Sequence, residues 1–364
     1  MQDRYVADEA RVSISSLEAE TIMKSTPVQT VKSILGRIGI EYEDGLPKEA
    51  YISALKEEFC SEPKWVLLML PKVMLDSLTA SWENSVIAMT EERWNYIEYL
   101  KIFGFLAYQM GNPVTDEPNR LIVVEEMKDN FYFLLKSRKN RKLLSVYDEW
   151  EKIITGFMYY YGFIETRTLY SLFLKVSKKV ISYEDFLLFI KCRTSLWPFG
   201  AILKDTFEKN EYFQYLNVEN PDMLLEYVRQ HENLPYKPIK LEDLMYVSDA
   251  AGIDNRWRGV SELGNLFIDK MGLNYYRATV LVRTLLIMIK NGSSYEKLQE
   301  KVSILSFENA QIREEVQQAV RQIFENVPVF EYKGYSRAEY KRLSYQKQLK
   351  KRKNLFTIID GGKE

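Results

Sequence analysis

Apolar residues recur at helical spacing along most of the chain, which predicts a mainly helical protein. Val31, Leu35 and Ile38 share one face of a short helix, and a longer apolar stripe covers residues 310–324. Two pairs of short β-prone runs are each separated by a polar or Pro/Gly-containing loop, which predicts hairpins. These runs are 105–110 with 120–124, and 197–203 with 211–216. The predicted fold is therefore mainly α, a multi-domain helical protein with one or two small β-hairpins.

Three predicted helices followed by the second hairpin outline a winged helix. Ser145-x-x-Asp148 and Ser182-x-x-Asp185 have the pattern of capping boxes, and they would open the first and third of these helices. We therefore predict a winged-helix-like domain at 145–218. Because the third helix of a winged helix commonly reads DNA, this unit is a candidate for nucleic-acid binding.

The remaining predicted boundaries follow breaks in the apolar pattern. They are an N-terminal arm at 1–26 with one short helix or a loose conformation, a helical module at 27–82, a helix–hairpin unit at 86–144, a C-terminal helical domain at 219–340 and a basic tail at 341–364.

The module at 27–82 carries a resemblance to a known family. Residues 31–40, followed by Leu46-Pro-Lys48 and Ile52-x-x-Leu55, resemble the helix–extended-turn–helix of SAP and Rho N-terminal modules. The resemblance implies a small helical unit that often binds nucleic acid. Six acidic residues lie in this segment, and the phosphate backbone of a nucleic acid would repel them. The alternative interpretation is therefore a small helical docking module. The acids are Glu41, Glu43, Asp44, Glu57, Glu58 and Glu62.

A second resemblance lies near the C-terminus. The segment Asn326-x-Pro328 with Tyr332-Lys-Gly-Tyr-Ser-x-x-Glu339 is similar to one that closes some uncharacterised helical bacterial proteins. In those proteins a SEC-C-type, Cys-rich metal-binding tail often follows. After Glu339 this chain has neither Cys nor His, so the metal role is not carried over. The same residues also form the pattern of an ordinary capping box, Ser336-x-x-Glu339.

Composition narrows the chemistry. One His and two Cys among 364 residues exclude zinc fingers and disulfide scaffolds and leave little room for His-based acid–base catalysis. Phosphate-binding glycine loops and nucleophile elbows are absent from the sequence. We therefore expect no catalytic residue, no metal and no cofactor, and we expect Cys60 and Cys192 to be small core residues. A metal-dependent nuclease built on Glu331-x-Lys333 with Asp222 is a remote alternative.

Charge is unevenly distributed along the chain. Residues 333–353 hold nine basic residues and one acid, a net +8 within a chain of net charge −1, so the remainder carries −9. Such a segment either binds a polyanion or folds back on the acidic body. A second basic run at 136–142 is either a phosphate-binding segment or a solvated loop. The candidate phosphate contacts are Lys136, Arg138, Lys139, Arg141, Lys142, Lys191, Arg193, Lys341, Arg342, Lys347, Lys350, Lys351, Arg352 and Lys353.

Aromatic residues admit two interpretations. The runs 131–133, 159–161 and 275–276 would stack nucleic-acid bases if exposed, but helical spacing around them favours a place in the core. The least charged stretch, 153–164, is too short to span a bilayer. The sequence thus favours a cytoplasmic, non-enzymatic binding or regulatory protein that contacts nucleic-acid phosphates. The alternative is a protein–protein adaptor or inhibitor whose acidic helical body binds an intracellular partner.

Overall fold

The structure is a computed structural model of the chain. It describes residues 10–17, 27–37, 40, 42–61, 64–69, 71–72, 86–89, 106–109, 120–124, 136–196, 199–204, 210–249 and 252–360. Inside some helices the description covers the backbone alone, as at Cys60, at Lys347 and from Lys350 to Asp360. Within the predicted helix–hairpin unit at 86–144, the apolar pattern predicts helices near 91–103 and after 125, and these segments lie outside the described residues, as does the aromatic run 131–133.

The described part of the chain is mainly helical, with thirteen α-helices and two small sheets. The helices are α1 Val28–Arg37, α2 Lys48–Ser61, α3 Lys64–Met69, α4 Arg138–Tyr161, α5 Thr166–Ser177, α6 Tyr183–Leu196, α7 Pro221–Gln230, α8 Leu241–Asp249, α9 Val260–Asn265, α10 Tyr275–Lys290, α11 Tyr295–Ser303, α12 Ala310–Asn326 and α13 Arg337–Asp360. The strands are β1 Ala10–Leu17, β2 Val86–Met89, β3 Leu106–Gln109, β4 Arg120–Val124, β5 Phe163–Glu165, β6 Gly200–Lys204 and β7 Glu211–Tyr215. A π-helical turn, Leu266–Lys270, follows α9, and a 3₁₀ turn, Phe330–Tyr332, precedes α13.

The chain divides into two compact units, each made of two separate segments. The first unit comprises Met1–Glu151 and Val180–Phe199, and the second comprises Lys152–Lys179 and Gly200–Glu364. This division places α6 in the first unit, whereas α5 and the hairpin β6–β7 belong to the second. The winged-helix-like domain predicted at 145–218 is therefore not confirmed as one unit.

The sheet of the first unit corrects the prediction for the N-terminus. Its strand order is β2-β1-β4-β3, and the predicted hairpin of 105–110 with 120–124 is confirmed as the antiparallel pair β3–β4. Strand β1 pairs antiparallel with β2 and parallel with β4, so the arm predicted at 1–26 is wrong for Ala10–Leu17. Both partner strands lie far along the chain, and such non-local pairing leaves little trace in a local pattern.

The helical part of the first unit is built around α6, which packs against α1 and α3. Phe186, Phe189 and Ile190 on α6 have no exposed surface. The ring of Phe189 lies 5.5 Å from that of Trp150 on α4, in an edge-to-face arrangement. Cys192 is buried as predicted, and burial raises the pKa of its thiol to about 12, which makes it an unreactive core residue.

The second unit contains the three-stranded antiparallel sheet and a larger helical core. The sheet order is β5-β7-β6, and the pair β6–β7 confirms the second predicted hairpin. Helix α5 packs against β5 and β7. Apolar faces of α9, α10, α11 and α12 form one core cluster, in which Leu263, Phe267 and Val316 have no exposed surface.

The observed helix starts can be compared with the capping boxes predicted at Ser145 and Ser182. At Ser182 the cap is confirmed, because the Asp185 backbone N–H donates to the Ser182 hydroxyl oxygen at 3.1 Å. The prediction at Ser145 is wrong, because α4 begins at Arg138 and the Ser145 hydroxyl donates to the Arg141 carbonyl inside the helix. Ser137 stands before that helix instead, and its hydroxyl oxygen accepts the Asn140 backbone N–H at 3.5 Å.

Candidate nucleic-acid interface

Five basic residues of the predicted phosphate-binding set lie together at the start of α4. We call them the α4 basic cluster: Lys136, Arg138, Lys139, Arg141 and Lys142. All five are exposed, and the first turn of α4 contains no acidic residue. The Ser137 carbonyl accepts the Arg141 backbone N–H at 3.0 Å, which fixes this turn.

The electrostatics of this cluster favour an anion. The N-terminus of a helix carries a partial positive charge from its aligned peptide dipoles, so basic side chains there repel both one another and the helix end. Acidic residues are the usual occupants of such a position, and here there are none. A bound polyanion would remove this repulsion.

Helix α6 contributes less than the sequence predicted. Lys191 is half-buried. Arg193 has no exposed surface, and its guanidinium lies 3.1 Å from the Asp148 carboxylate and 3.3 Å from that of Glu151. The prediction that Arg193 contacts phosphates is therefore wrong. Its position on the apolar face of α6 turns it inward, where two carboxylates of α4 neutralise it.

The predicted basic tail is part of a long helix. Helix α13 begins at Arg337, so the boundary predicted at 340/341 falls inside it. Lys341 is exposed, and its Nζ lies 3.2 Å from the Glu325 carboxylate. Arg342 is exposed, and no carboxylate pairs with it among the described residues. For Lys347, Lys350, Lys351, Arg352 and Lys353 the structure gives a helical backbone and nothing further.

The α13 surface and the α4 basic cluster belong to different units, so each is a separate candidate. The capping box predicted at the start of α13 is confirmed. The Ser336 backbone N–H donates to the Glu339 carboxylate at 2.9 Å, and the Glu339 N–H donates back to the Ser336 hydroxyl oxygen at 3.3 Å. The segment 336–339, which precedes most of the basic residues, thus has a structural role: it caps the N-terminus of α13.

The aromatic runs divide between the two interpretations. Tyr159, Tyr160 and Tyr161 are buried, as predicted for core residues. Tyr275 and Tyr276 are 77% and 76% exposed, so the core interpretation is wrong for this pair. They occupy the first turn of α10, ahead of Ala278, the first buried residue of this helix.

A buried lysine at the end of α10 is the main feature that the sequence interpretation missed. The Lys290 amine donates to the Tyr159 carbonyl at 2.5 Å and lies 3.6 Å from the centre of the Tyr159 ring. The Trp257 ring stacks on that of Tyr159 and is 5.0 Å from the amine. Burial lowers the pKa of Lys290 well below its usual 10.5, against the opposing effect of the Asp254 charge. Its place among Leu285, Leu286 and Ile289 was the available clue.

Asp254 lies beside this lysine and is itself neutralised. Its carboxylate, 1% exposed, accepts the Nε and Nη2 groups of Arg256 at 2.9 and 2.8 Å. The Tyr160 hydroxyl lies 3.5 Å from the same carboxylate, and burial raises the pKa of that tyrosine. The buried Asp254 carboxylate is therefore neutralised by the guanidinium of Arg256, a residue exposed at the surface of the second unit.

A desolvated lysine amine is a potential nucleophile, but the surroundings of Lys290 favour a structural role. The depression that it lines, together with Glu331 and Asn291, has a volume of about 60 Å³. Ligand pockets are typically several hundred Å³, so an organic substrate does not fit. The amine already donates to a carbonyl at the end of α4, which is a capping interaction.

The residues of the remote nuclease alternative do not assemble a metal centre. Lys333 is 4% exposed and donates to the His231 carbonyl at 2.8 Å, and burial lowers its pKa. Asp222 is exposed on α7. Among the described residues there is no group of three or more His, Cys, Asp or Glu side chains that could hold a metal ion. Nothing here supports that alternative.

No family model, curated protein or solved structure matches the chain. The resemblances to SAP or Rho N-terminal modules and to SEC-C-bearing proteins therefore stay predictions. Among the described residues no helix is long and apolar enough to cross a membrane.

Proposed function

We propose that this chain is a non-enzymatic binding protein that contacts nucleic-acid phosphates through the α4 basic cluster. The observation that carries the proposal is the exposure of all five cations at the start of a 24-residue helix whose first turn has no acid. Cations in this position lower the stability of the free helix and strengthen its attraction for a polyanion. Such contacts position a nucleic acid without reading its sequence.

Salt dependence is the signature of this mode of binding. Each phosphate neutralised on duplex DNA releases counterions, so the logarithm of the association constant falls with the logarithm of salt concentration by about 0.9 per contact. Four or five contacts at the cluster would give a slope of about −4, on this basis. Hydrogen bonding to neutral groups would leave the affinity nearly independent of salt.

The test is a titration of labelled DNA and RNA by fluorescence anisotropy, at several salt concentrations between about 50 and 200 mM. The variant Lys139→Ala/Arg141→Ala/Lys142→Ala should reduce the magnitude of the slope by about three, one for each cation removed. The control Lys240→Ala/Lys297→Ala/Lys301→Ala removes the same charge from exposed positions elsewhere and should leave the slope unchanged. Absence of binding by the wild-type chain at low salt would overturn the proposal.

An acidic depression favours the second candidate function, a protein-binding adaptor. A cavity of about 390 Å³ in the second unit lies between the π-helical turn and α12, and Glu262, Asp269 and Glu315 line it with a single cation, Lys270. Such a surface suits a basic peptide and repels nucleic acid. The variant Glu262→Gln/Asp269→Asn/Glu315→Gln should lose binding to an oligolysine peptide in calorimetry. Equal binding by the variant would exclude this depression as the site.

A further inference from the structure

The first turn of α10 presents two adjacent tyrosines to solvent. Tyr275 and Tyr276 are 77% and 76% exposed, and among the described residues neither ring packs on another ring and neither hydroxyl has a hydrogen-bond partner. Their backbone is well fixed, because the Asn274 side chain caps the helix by accepting the Arg277 backbone N–H at 2.9 Å. The backbone of the two tyrosines is therefore fixed by the helix cap, while their rings are exposed to solvent.

The apolar face of α10 packs into the core of the second unit. Ala278, Val282, Leu285, Leu286 and Ile289 are buried there. The outward positions near the tyrosines are Arg277, Val280 and Arg283, all exposed. Tyr276, Val280 and Arg283 thus share the solvent side of α10. Tyr275 and Arg277 are exposed at the start of the helix.

Exposed aromatic groups of this extent suggest a binding surface. A tyrosine ring buries a large apolar area when it finds a partner, so two neighbouring rings left in water forgo a substantial stabilisation. Single exposed apolar residues are common, whereas contiguous ones mark interaction sites. Tyr276 and Val280 are one helical turn apart and extend the patch along the helix.

Charge indicates the class of partner. Helix α10 contains no acid, and its two exposed cations are Arg277, next to Tyr276, and Arg283, about two turns further along. Rings that stack on bases, together with cations that contact phosphates, are the recurring elements of single-strand nucleic-acid binding. A duplex offers its phosphates but keeps its bases stacked on one another, so it could not use the rings.

We infer that the first half of α10 is a stacking platform for single-stranded nucleic acid. Tyr275 and Tyr276 stack on unpaired bases, and Arg277 and Arg283 contact the adjoining phosphates. This inference rests on the proposed function and specifies its ligand class. It also assigns a different source of affinity, since stacking is largely independent of salt whereas the phosphate contacts of the α4 basic cluster are not.

The experiment compares a labelled oligothymidylate with a duplex of the same length, using the full chain. The variant Tyr275→Ser/Tyr276→Ser should weaken single-strand binding about tenfold or more, because each stacked base contributes roughly a factor of five to 150. Tyr275→Phe/Tyr276→Phe keeps both rings and should bind within about twofold of wild type. Duplex affinity and the salt slope should not change in either variant. Because both positions are exposed, denaturant unfolding should confirm that the variants remain folded.

The outcomes separate this inference from the proposed function. Failure of the wild-type chain to bind either nucleic acid overturns both. Salt-dependent binding that the serine variant retains in full overturns the inference alone. A changed molecular mass of the serine variant in light scattering, with oligonucleotide affinity unaltered, would identify the face as a contact between copies of the protein and would likewise overturn it.

Discussion

The Lys290 amine donates a hydrogen bond to the Tyr159 backbone carbonyl, at a distance of 2.5 Å inside the second unit. Helix α4 ends at Tyr161, so the Tyr159 carbonyl is among the last four, which have no partner within the helix. A buried carbonyl left without a donor would destabilise the fold by roughly 1–3 kcal/mol. Lys290 therefore closes the end of α4 from the core side.

This contact predicts a pH dependence of stability. Because burial lowers the pKa of Lys290 in the folded chain, the unfolded chain binds the additional proton between that lowered pKa and 10.5. The free energy of unfolding contributed by this group therefore rises with pH in that window, by at most about 1.4 kcal/mol per pH unit. Urea unfolding of wild type and Lys290→Met at pH 7, 8 and 9 should show a difference that grows in favour of wild type.

The matched control for this prediction is Lys301→Met, at an exposed position on α11. Its stability curve should run parallel to that of wild type. A difference between wild type and Lys290→Met that stays constant from pH 7 to 9 would contradict a lowered pKa.

Two helical glycines predict opposite effects of the same substitution. A Cβ at Gly156 would lie 2.6 Å from the Leu244 carbonyl oxygen, so Gly156→Ala should force α4 and α8 apart and destabilise the fold by about 2 kcal/mol. A Cβ at Gly264 meets nothing within 4 Å, so Gly264→Ala should stabilise α9 by about 0.5–1 kcal/mol. Thermal or denaturant unfolding measures both, and equal effects at the two positions would contradict the close approach.

Substitution of Arg193 should lower the stability of the fold without changing the affinity for nucleic acid. Arg193→Met leaves the partly buried carboxylates of Asp148 and Glu151 facing each other without a cation, which should destabilise the first unit by about 3 kcal/mol. Adding Asp148→Asn and Glu151→Gln should restore much of the loss. Where the variants remain folded, their affinity for nucleic acid should match that of wild type; a reduced salt slope would mean that Arg193 reaches phosphate after all.

Lys341 and Arg342 predict a graded contribution of α13 to binding. Glu325 neutralises Lys341, whereas no described carboxylate pairs with Arg342. Arg342→Ala should therefore lower the salt slope by about one, and Lys341→Ala should lower it less. Glu325→Gln releases the Lys341 amine and should tighten binding. The prediction is wrong if the lysine variant loses more affinity than the arginine variant.

Local signals in the sequence identified the features that depend on neighbouring residues. The caps at Ser182 and Ser336 and both hairpins rest on short-range geometry, and all are present. Strand β1 was missed because the residues that it pairs with are 73 or more positions away along the chain, Ser13 with Val86 being the nearest pair. The β-propensity of a segment depends on the strands beside it, so the local sequence of residues 10–17 did not by itself predict a strand.

Side-chain environment was harder to predict than backbone structure. Arg193 and Lys290 are basic residues at core-facing helix positions. The pattern of apolar and polar residues along the chain cannot show which buried acceptors these two side chains contact. Tyr275 and Tyr276 gave the opposite error, since aromatic residues in an apolar helix favour burial on average. Their exposure depends on where the first turn of α10 emerges from the core.

The interleaving of the two units along the chain has a consequence for synthesis. The first unit needs the segment Val180–Phe199, and part of the second unit, Lys152–Lys179, precedes that segment. Neither unit can therefore be completed on the ribosome before the other has begun to emerge, so folding in simple N-to-C order, the usual route of multidomain chains, is not open to this protein. Nascent chains stalled between residues 151 and 199 should remain sensitive to protease and should recruit chaperones.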